Sequence, residues 1–179
     1  MITKILLILA VAITVLLIVA ALRPGNFRVA RSATIAAPTA VVFGQVNDLH
    51  KFQDWSPWAK LDPQCKVDFS GPAAGSGASF TWAGNNQVGA GRMTLIESRP
   101  NELIRFRLDF LKPFTGTADA EFTFKPDGNR TVVTWSMFGK NSFPAKIASL
   151  FINCDDMVGS QFEKGLAALN VVSSVAVAK

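Results

Sequence analysis

The pattern of apolar and polar positions divides the chain in two. Residues 5–22 form an unbroken run of 18 residues with no charge and a single polar member, Thr14. Lys4 precedes the run and Arg23-Pro24-Gly25 closes it. Eighteen residues of helix rise about 27 Å, close to the roughly 30 Å hydrocarbon core of a bilayer. A helix apolar on every face needs lipid or a large protein interior around it, and the ~150 residues that follow have no interior to spare for it. A cleaved signal peptide is the competing reading. Its apolar stretch is usually about 7–15 residues long, and Val19-Ala20-Ala21 is a poor version of a cleavage site. The pattern predicts a membrane anchor over residues 1–25.

Beyond the anchor the periodicity changes. Over 27–35, Phe27, Val29, Arg31, Ala33 and Ile35 share one face of a first strand. Pro38 then opens a helix on which Val42, Val46 and Leu49 recur. The aromatic segment from His50 to Trp58 is a second, short helix limited by Pro57. From Cys65 onward period two takes over, with strands expected at 66–70, 78–82, 88–98, 102–111, 117–125 and 131–138. Gly71-Pro72, Gly84-Asn85-Asn86, Pro100-Asn101, Lys112-Pro113 and Asp127-Gly128-Asn129 are the turn signals between them. Ile104, Phe106, Leu108 and Phe110 alternate with Arg105, Arg107 and Asp109. Such one-sided strands belong to an antiparallel sheet with one face covered and the other wet.

The cover is expected from the C-terminal segment. Ile147, Leu150 and Phe151 make a short amphipathic stretch after Pro144. Asp155 and Asp156 suit the start of a longer helix. On it Val158, Phe162, Leu166, Leu169 and Val172 form one stripe. Gly159 and Gly165 cost that helix about 1 kcal/mol each in propensity, which is reasonable if it lies very close to a curved sheet. The whole reads as one α+β domain over residues 26–172, with a short tail at 173–179.

Charge and cysteine change this picture little. Without Lys4 the domain carries 17 basic and 13 acidic residues. The basic ones are scattered singly, so the clustered face that nucleic-acid binding wants is missing. A mildly basic domain beside an anionic membrane is a sufficient reading. Arg23, Arg28 and Arg31, counted against Lys4, place the domain in the cytoplasm by the positive-inside rule. The short N-terminal tail carries little weight in that count, and the side stays open. Cys65 and Cys154 read as ordinary thiols, and with His50 they make no metal-ligand pattern.

The order strand, helix, short helix, six strands, long helix resembles the START-like superfamily of helix-grip domains, the polyketide cyclase/dehydrase and lipid-transport (SRPBCC) group. The residues that carry the resemblance begin with Ile35-Ala36-Ala37-Pro38, followed by Val42-Phe43 and Val46-Asn47-Asp48. Phe52-Gln53-Asp54-Trp55-Ser56-Pro57-Trp58 comes next, with Asp62-Pro63 after it. Gly75-Ser76-Gly77-Ala78 precedes the strand ending at Trp82, and the stretch from Gly159 to Leu169 completes the set. The Trp-Ser-Pro-Trp segment and the final helix together are similar to a membrane-anchored branch. The resemblance implies a seven-stranded antiparallel sheet curled around a long C-terminal helix, with a cavity for an apolar ligand between them. It supplies no shared catalytic motif, and fold alone does not give function.

Catalytic chemistry has no named residue here. His50 is the only histidine and lies in a polar stretch; Asp54 and Asp62 read as loop or cap residues; Ser56 has no histidine in readable relation to it. The aromatic residues are more informative. Fourteen Phe and four Trp exceed what a single gripped helix needs covered. Ligand pockets are mainly apolar with a few polar groups. The expected lining comprises Trp82, Phe106, Phe110, Phe122 and Trp135 on the strands, Trp55 and Trp58 as lid or plug, and Phe151. The expected function is binding of a hydrophobic small molecule or lipid, without cofactor or metal. The alternative is a cyclase/dehydratase-like enzyme on an apolar substrate.

Overall fold

The computed structural model describes residues 2–151 and 153–177. Met1 of the expected anchor and residues 178 and 179 of the expected tail lie outside them. Helix α1 (Ile2–Leu22) exposes apolar side chains all round, and Ala20 is its one buried residue. Strand β1 (Asn26–Ile35) follows after a three-residue link.

Three short helices come next: α2 (Thr39–Asn47), α3 (Leu49–Trp55) and α4 (Pro57–Leu61). Their breaks have local causes. Pro38 sits just before α2, in the N-cap position, rather than inside its first turn. Asp48, in extended conformation, ends α2 and caps α3 by accepting from the His50 and Lys51 backbone N–H groups. Ser56 is held extended ahead of Pro57, which ends α3. Pro57 then opens α4 as its first residue, so the proline starts a helix as well as stopping one.

The remaining strands are β2 (Lys66–Ser70), β3 (Ser79–Ala83), β4 (Ala90–Arg99), β5 (Leu103–Lys112), β6 (Gly116–Asp127) and β7 (Arg130–Lys140). They form one antiparallel sheet in the order β1-β7-β6-β5-β4-β3-β2, as the alternation predicts. Strand ends differ from expectation by a few residues. Strand β4 begins at Ala90 because Gly89, at φ 69, closes a turn by accepting from Gly84 N–H, which leaves Val88 in the turn. On the wet face Arg105 bridges Glu97 on β4 and Glu121 on β6, at 2.9 and 2.6 Å.

Helix α5 (Phe143–Ala148) packs against the end of α1, where the Lys146 ammonium donates to Ala21 C=O at 3.4 Å. Helix α6 (Cys154–Val177) runs past Val172 to Val177 and fills the concave side of the sheet. Asn153 stands before its first turn and accepts from the Asp155 and Asp156 N–H groups. The two glycines explain how tightly it is held. A Cβ on Gly159 would strike the Arg31 guanidinium, and one on Gly165 would lie 2.6 Å from Trp135 and 3.1 Å from Pro57. Arg31, pointing inward from β1, is clamped by Asp155 at 2.9 Å and Glu163 at 2.8 Å. Both carboxylates raise the Arg31 pKa through hydrogen bonds, and the guanidinium in turn lowers that of Asp155.

Candidate functional site

The sheet curls further than α6 can fill, and a cavity of about 340 Å³ remains between them. That volume lies within the range of small-molecule pockets. Its floor is a stack of buried rings. Trp135 lies between Phe162 of α6 and Phe122 of β6, with ring centroids 4.2 and 4.7 Å away. Phe106 meets Phe122 edge to face at 6.1 Å, and Phe52 closes the stack from α3. Edge-to-face and offset rings of this kind add to burial by complementing their quadrupoles.

The walls rise from this floor toward the end of the sheet where β1 begins. Trp82 and Phe110 face each other at 6.0 Å, and Trp82 is fixed by donating its indole N–H to Val88 C=O at 3.2 Å. Trp58 of α4 meets Trp135 at 5.5 Å and Phe162 at 6.1 Å. Val158, Val88 and the loop from Asp62 to Cys65 complete the rim.

Six of the expected lining residues are thus brought together: Trp58, Trp82, Phe106, Phe110, Phe122 and Trp135. Two are not. Trp55 is fully buried beside the cavity rather than lining it, packed edge-on to Phe52 and Phe122, with its indole N–H donated to Gln45 C=O at 3.0 Å. It is a structural plug. Phe151 is 72% exposed and does not line the cavity; α5, just before it, packs against α1 rather than across the sheet. Sequence reasoning missed Met93, Leu108, Ala120 and Met137 as lining residues. Leu108 and Ala120 lie in phase with Phe106 and Phe122, so the alternation contained that signal. Met93 follows Gly91 on β4, where glycines mask the pattern.

The polar groups at the cavity are Gln53, Ser56, Asp62 and Cys65. Asp62 is occupied as a loop clamp, accepting from Gln64 N–H at 3.1 Å and from Asn85 N–H at 2.6 Å. Burial pushes the Cys65 thiol pKa up, which keeps the weakly nucleophilic protonated form. His50 lies outside the cavity and stacks on Phe69 at 3.9 Å. Cys65 and Cys154 are both free. Among the described residues, the Trp135 indole N–H is buried without an acceptor.

A family model described as polyketide cyclase/dehydrase and lipid transport matches residues 26–172. No curated protein matches the chain by sequence. Solved structures share its fold. A protein from Nitrosospira multiformis is 21% identical, with 81% of this chain and 94% of that one covered at a TM-score of 0.58. The Zhui aromatase/cyclase from a Streptomyces species is 16% identical, covering 85% and 96% at 0.59. A major latex-like protein from Panax ginseng is 10% identical, covering 84% and 99% at 0.57.

Proposed function

Because the chain belongs to the polyketide cyclase/dehydrase and lipid transport family, we propose that its domain holds a hydrophobic small molecule or lipid in the cavity, tethered to a membrane by α1, and works as a carrier or sensor rather than a catalyst. The observation that carries this reading is the cavity itself, about 340 Å³ walled by Trp58, Trp82, Phe106, Phe110, Phe122 and Trp135. Emptying such a wall of water and filling it with apolar matter gains roughly 25 cal/mol per Å². Gln53 and Ser56 supply an amide and a hydroxyl with which to orient one polar end.

The non-catalytic half of the proposal is supported by how the titratable groups are used. General acid–base chemistry needs a positioned group that can exchange a proton with substrate. The Asp62 carboxylate is occupied by backbone N–H groups, the Cys65 thiol stays protonated, and the His50 imidazole is outside. The tether is supported by α1, long and apolar enough to cross a membrane and exposed along nearly its whole length.

Native mass spectrometry of the full chain, released from detergent micelles, tests the cavity. An adduct of lipid or isoprenoid mass is expected, and Ala120→Leu, which fills the cavity from β6, should remove it. An equal adduct on both proteins, or none on the wild type together with no thermal shift from lipids and isoprenoids, would sink the proposal. Intact mass and carbonate extraction of the cellular protein test the tether: loss of residues 1–21, or release from membranes, would show a signal sequence instead.

A further inference from the structure

The lining residues Cys65, Val88 and Phe110 keep partial exposure, which marks the cavity's mouth, and strand register shows which end of the sheet they share. The pairs Asn26 with Lys140, Gly139 with Ala118, Gly116 with Phe110, Lys112 with Ala90 and Ala83 with Lys66 run along one end of the sheet. This end carries the rim residues Cys65, Val88 and Phe110, and the first turns of α6 bring Val158 to it. It is also the end from which α1 departs, since β1 starts there. Asn141 N–H donates to Gly25 C=O at 2.8 Å, and Lys146 reaches the last turn of α1. The mouth and the anchor therefore share one end of the molecule.

That end is also unusually apolar on its outside. Phe114, in the turn between β5 and β6, is 81% exposed, and Leu111 beside it 61%. Phe151, after α5, is 72% exposed, and Phe143 and Met157 are exposed nearby. Lone exposed apolar residues are ordinary, but several large ones at the end of the molecule that carries the mouth of an apolar cavity mark an interaction surface. Lys112 and Lys140 close β5 and β7 at this end, and Lys66 opens β2 there. Aromatic residues with flanking lysines are the composition of a membrane interface.

We propose that this rim, formed by Leu111, Phe114, Phe143, Phe151 and Met157, dips into the bilayer leaflet that receives the end of α1, so that the cavity opens onto lipid rather than water. The proposal rests on α1 being a membrane span, as the carrier reading has it. Because Arg23 ends the span, everything within a few ångströms of Ala21 and Gly25 sits at headgroup depth. Helix α5 is held there by contact, and the β5–β6 turn lies along the same end. An apolar ligand then passes from hydrocarbon to cavity without crossing water, which removes the transfer cost of about 0.8 kcal/mol per CH₂ from its path.

Spin labels read the depth directly. Phe114→Cys and Phe151→Cys are each placed in a Cys65→Ser, Cys154→Ser background of the full chain, in vesicles of phosphatidylcholine and phosphatidylglycerol. A label at Asp127→Cys, the last residue of β6 at the opposite end, is the control. Labels at 114 and 151 should collide mainly with oxygen and that at 127 mainly with a water-soluble nickel chelate. Nickel accessibility at 114 and 151 equal to that at 127 would overturn the proposal. A second arm uses Leu111→Glu with Phe114→Glu, both on exposed positions that spare the core. Transfer of a pyrene-labelled fatty acid from vesicles, followed by energy transfer from the cavity tryptophans, should slow about tenfold, while uptake from detergent solution stays as in the wild type. Equal slowing from both sources would also overturn it. A wild type that takes up the probe from neither source counts against the cavity reading, and the depth measurement still decides the rim.

Discussion

At the end of the sheet covered by α2 and α3 the large core side chains are sealed: Ile35, Leu49, Trp55 and Ile104 have lost all or nearly all their exposure, and the Trp55 indole N–H is paired. At the end where α1 arrives, Phe110 and Val88 remain partly open at the cavity and Leu111 and Phe114 are bare. The two ends use the same residue types. What differs is their partners: one end has α2 and α3 laid across it, whereas at the other α5 packs on α1 and the β5–β6 turn is left uncovered. Stability is therefore concentrated at the closed end, and the open end is left with apolar surface whose partner lies outside the chain. Substitutions at the closed end should unfold the domain; those at the open end should alter what it binds.

The sharpest contrast is between two tryptophans three positions apart. Trp55→Ala removes a fully buried ring and orphans Gln45 C=O, and should cost about 3–5 kcal/mol in chemical denaturation. Trp58→Ala, at the half-buried wall, should cost less than half as much while changing ligand adducts. Equal losses would mean that the ends are not distinct. Next in size is a pair of glycines. Gly165→Ala brings a methyl against Trp135 and Pro57, and overpacking of this kind costs about 1–3 kcal/mol. Gly44→Ala on α2 meets nothing within 4 Å and should stabilise by about 0.5–1 kcal/mol through helix propensity. Thermal melts of the two variants should therefore move in opposite directions.

These contrasts also show what was legible from sequence. The alternation of Phe106, Leu108 and Phe110 against Arg105, Arg107 and Asp109 was enough to place the sheet and its inner face, because period two leaves only one way to hide the rings. The glycines on α6 signalled a close approach before any partner was visible. Trp55 and Trp58 could not be separated, since Pro57 re-aims the chain between two helices and periodicity does not carry across such a break. Phe151 misled for another reason. An apolar stripe states that a face wants burial and does not state against what, and here α5 found the end of α1 instead of the sheet. Arg31 can share the inner face of β1 with apolar residues because α6 supplies Asp155 and Glu163 from far along the chain, a pairing that strand periodicity does not reach.

The thiols offer a milder probe of the open end. Cys154 is exposed at the start of α6, whereas Cys65 lines the cavity with its pKa raised by burial. Alkylation at neutral pH should mark Cys154 first, because the thiolate is the reactive form. A bound apolar ligand should then slow Cys65 by at least about tenfold, equivalent to ~1.4 kcal/mol of occupancy, and leave Cys154 unchanged. Peptide mapping of the alkylated protein reads both sites in one experiment. Parallel slowing would place the ligand on the outer surface of the molecule.

The smallest effect concerns the clamp that holds α6 across the open half of β1. Asp155 accepts from the Arg31 guanidinium, and that hydrogen bond lowers its pKa below the ordinary carboxylate value. A group with a depressed folded-state pKa binds its proton less readily when folded than when unfolded. Its contribution is fully present above the usual Asp range near pH 4 and is lost as the pH falls through the lower folded-state value. Both partners keep contact with water, so the change is modest. Thermal stability of the wild type should fall more between pH 5 and pH 3 than that of Asp155→Asn, in which the titrating group is absent. The same variant at pH 7 should show slightly easier opening of the first turns of α6 by hydrogen exchange, with the α2–α3 end unaffected. Protection lost evenly at both ends would tie the clamp to the whole fold and remove the distinction between them.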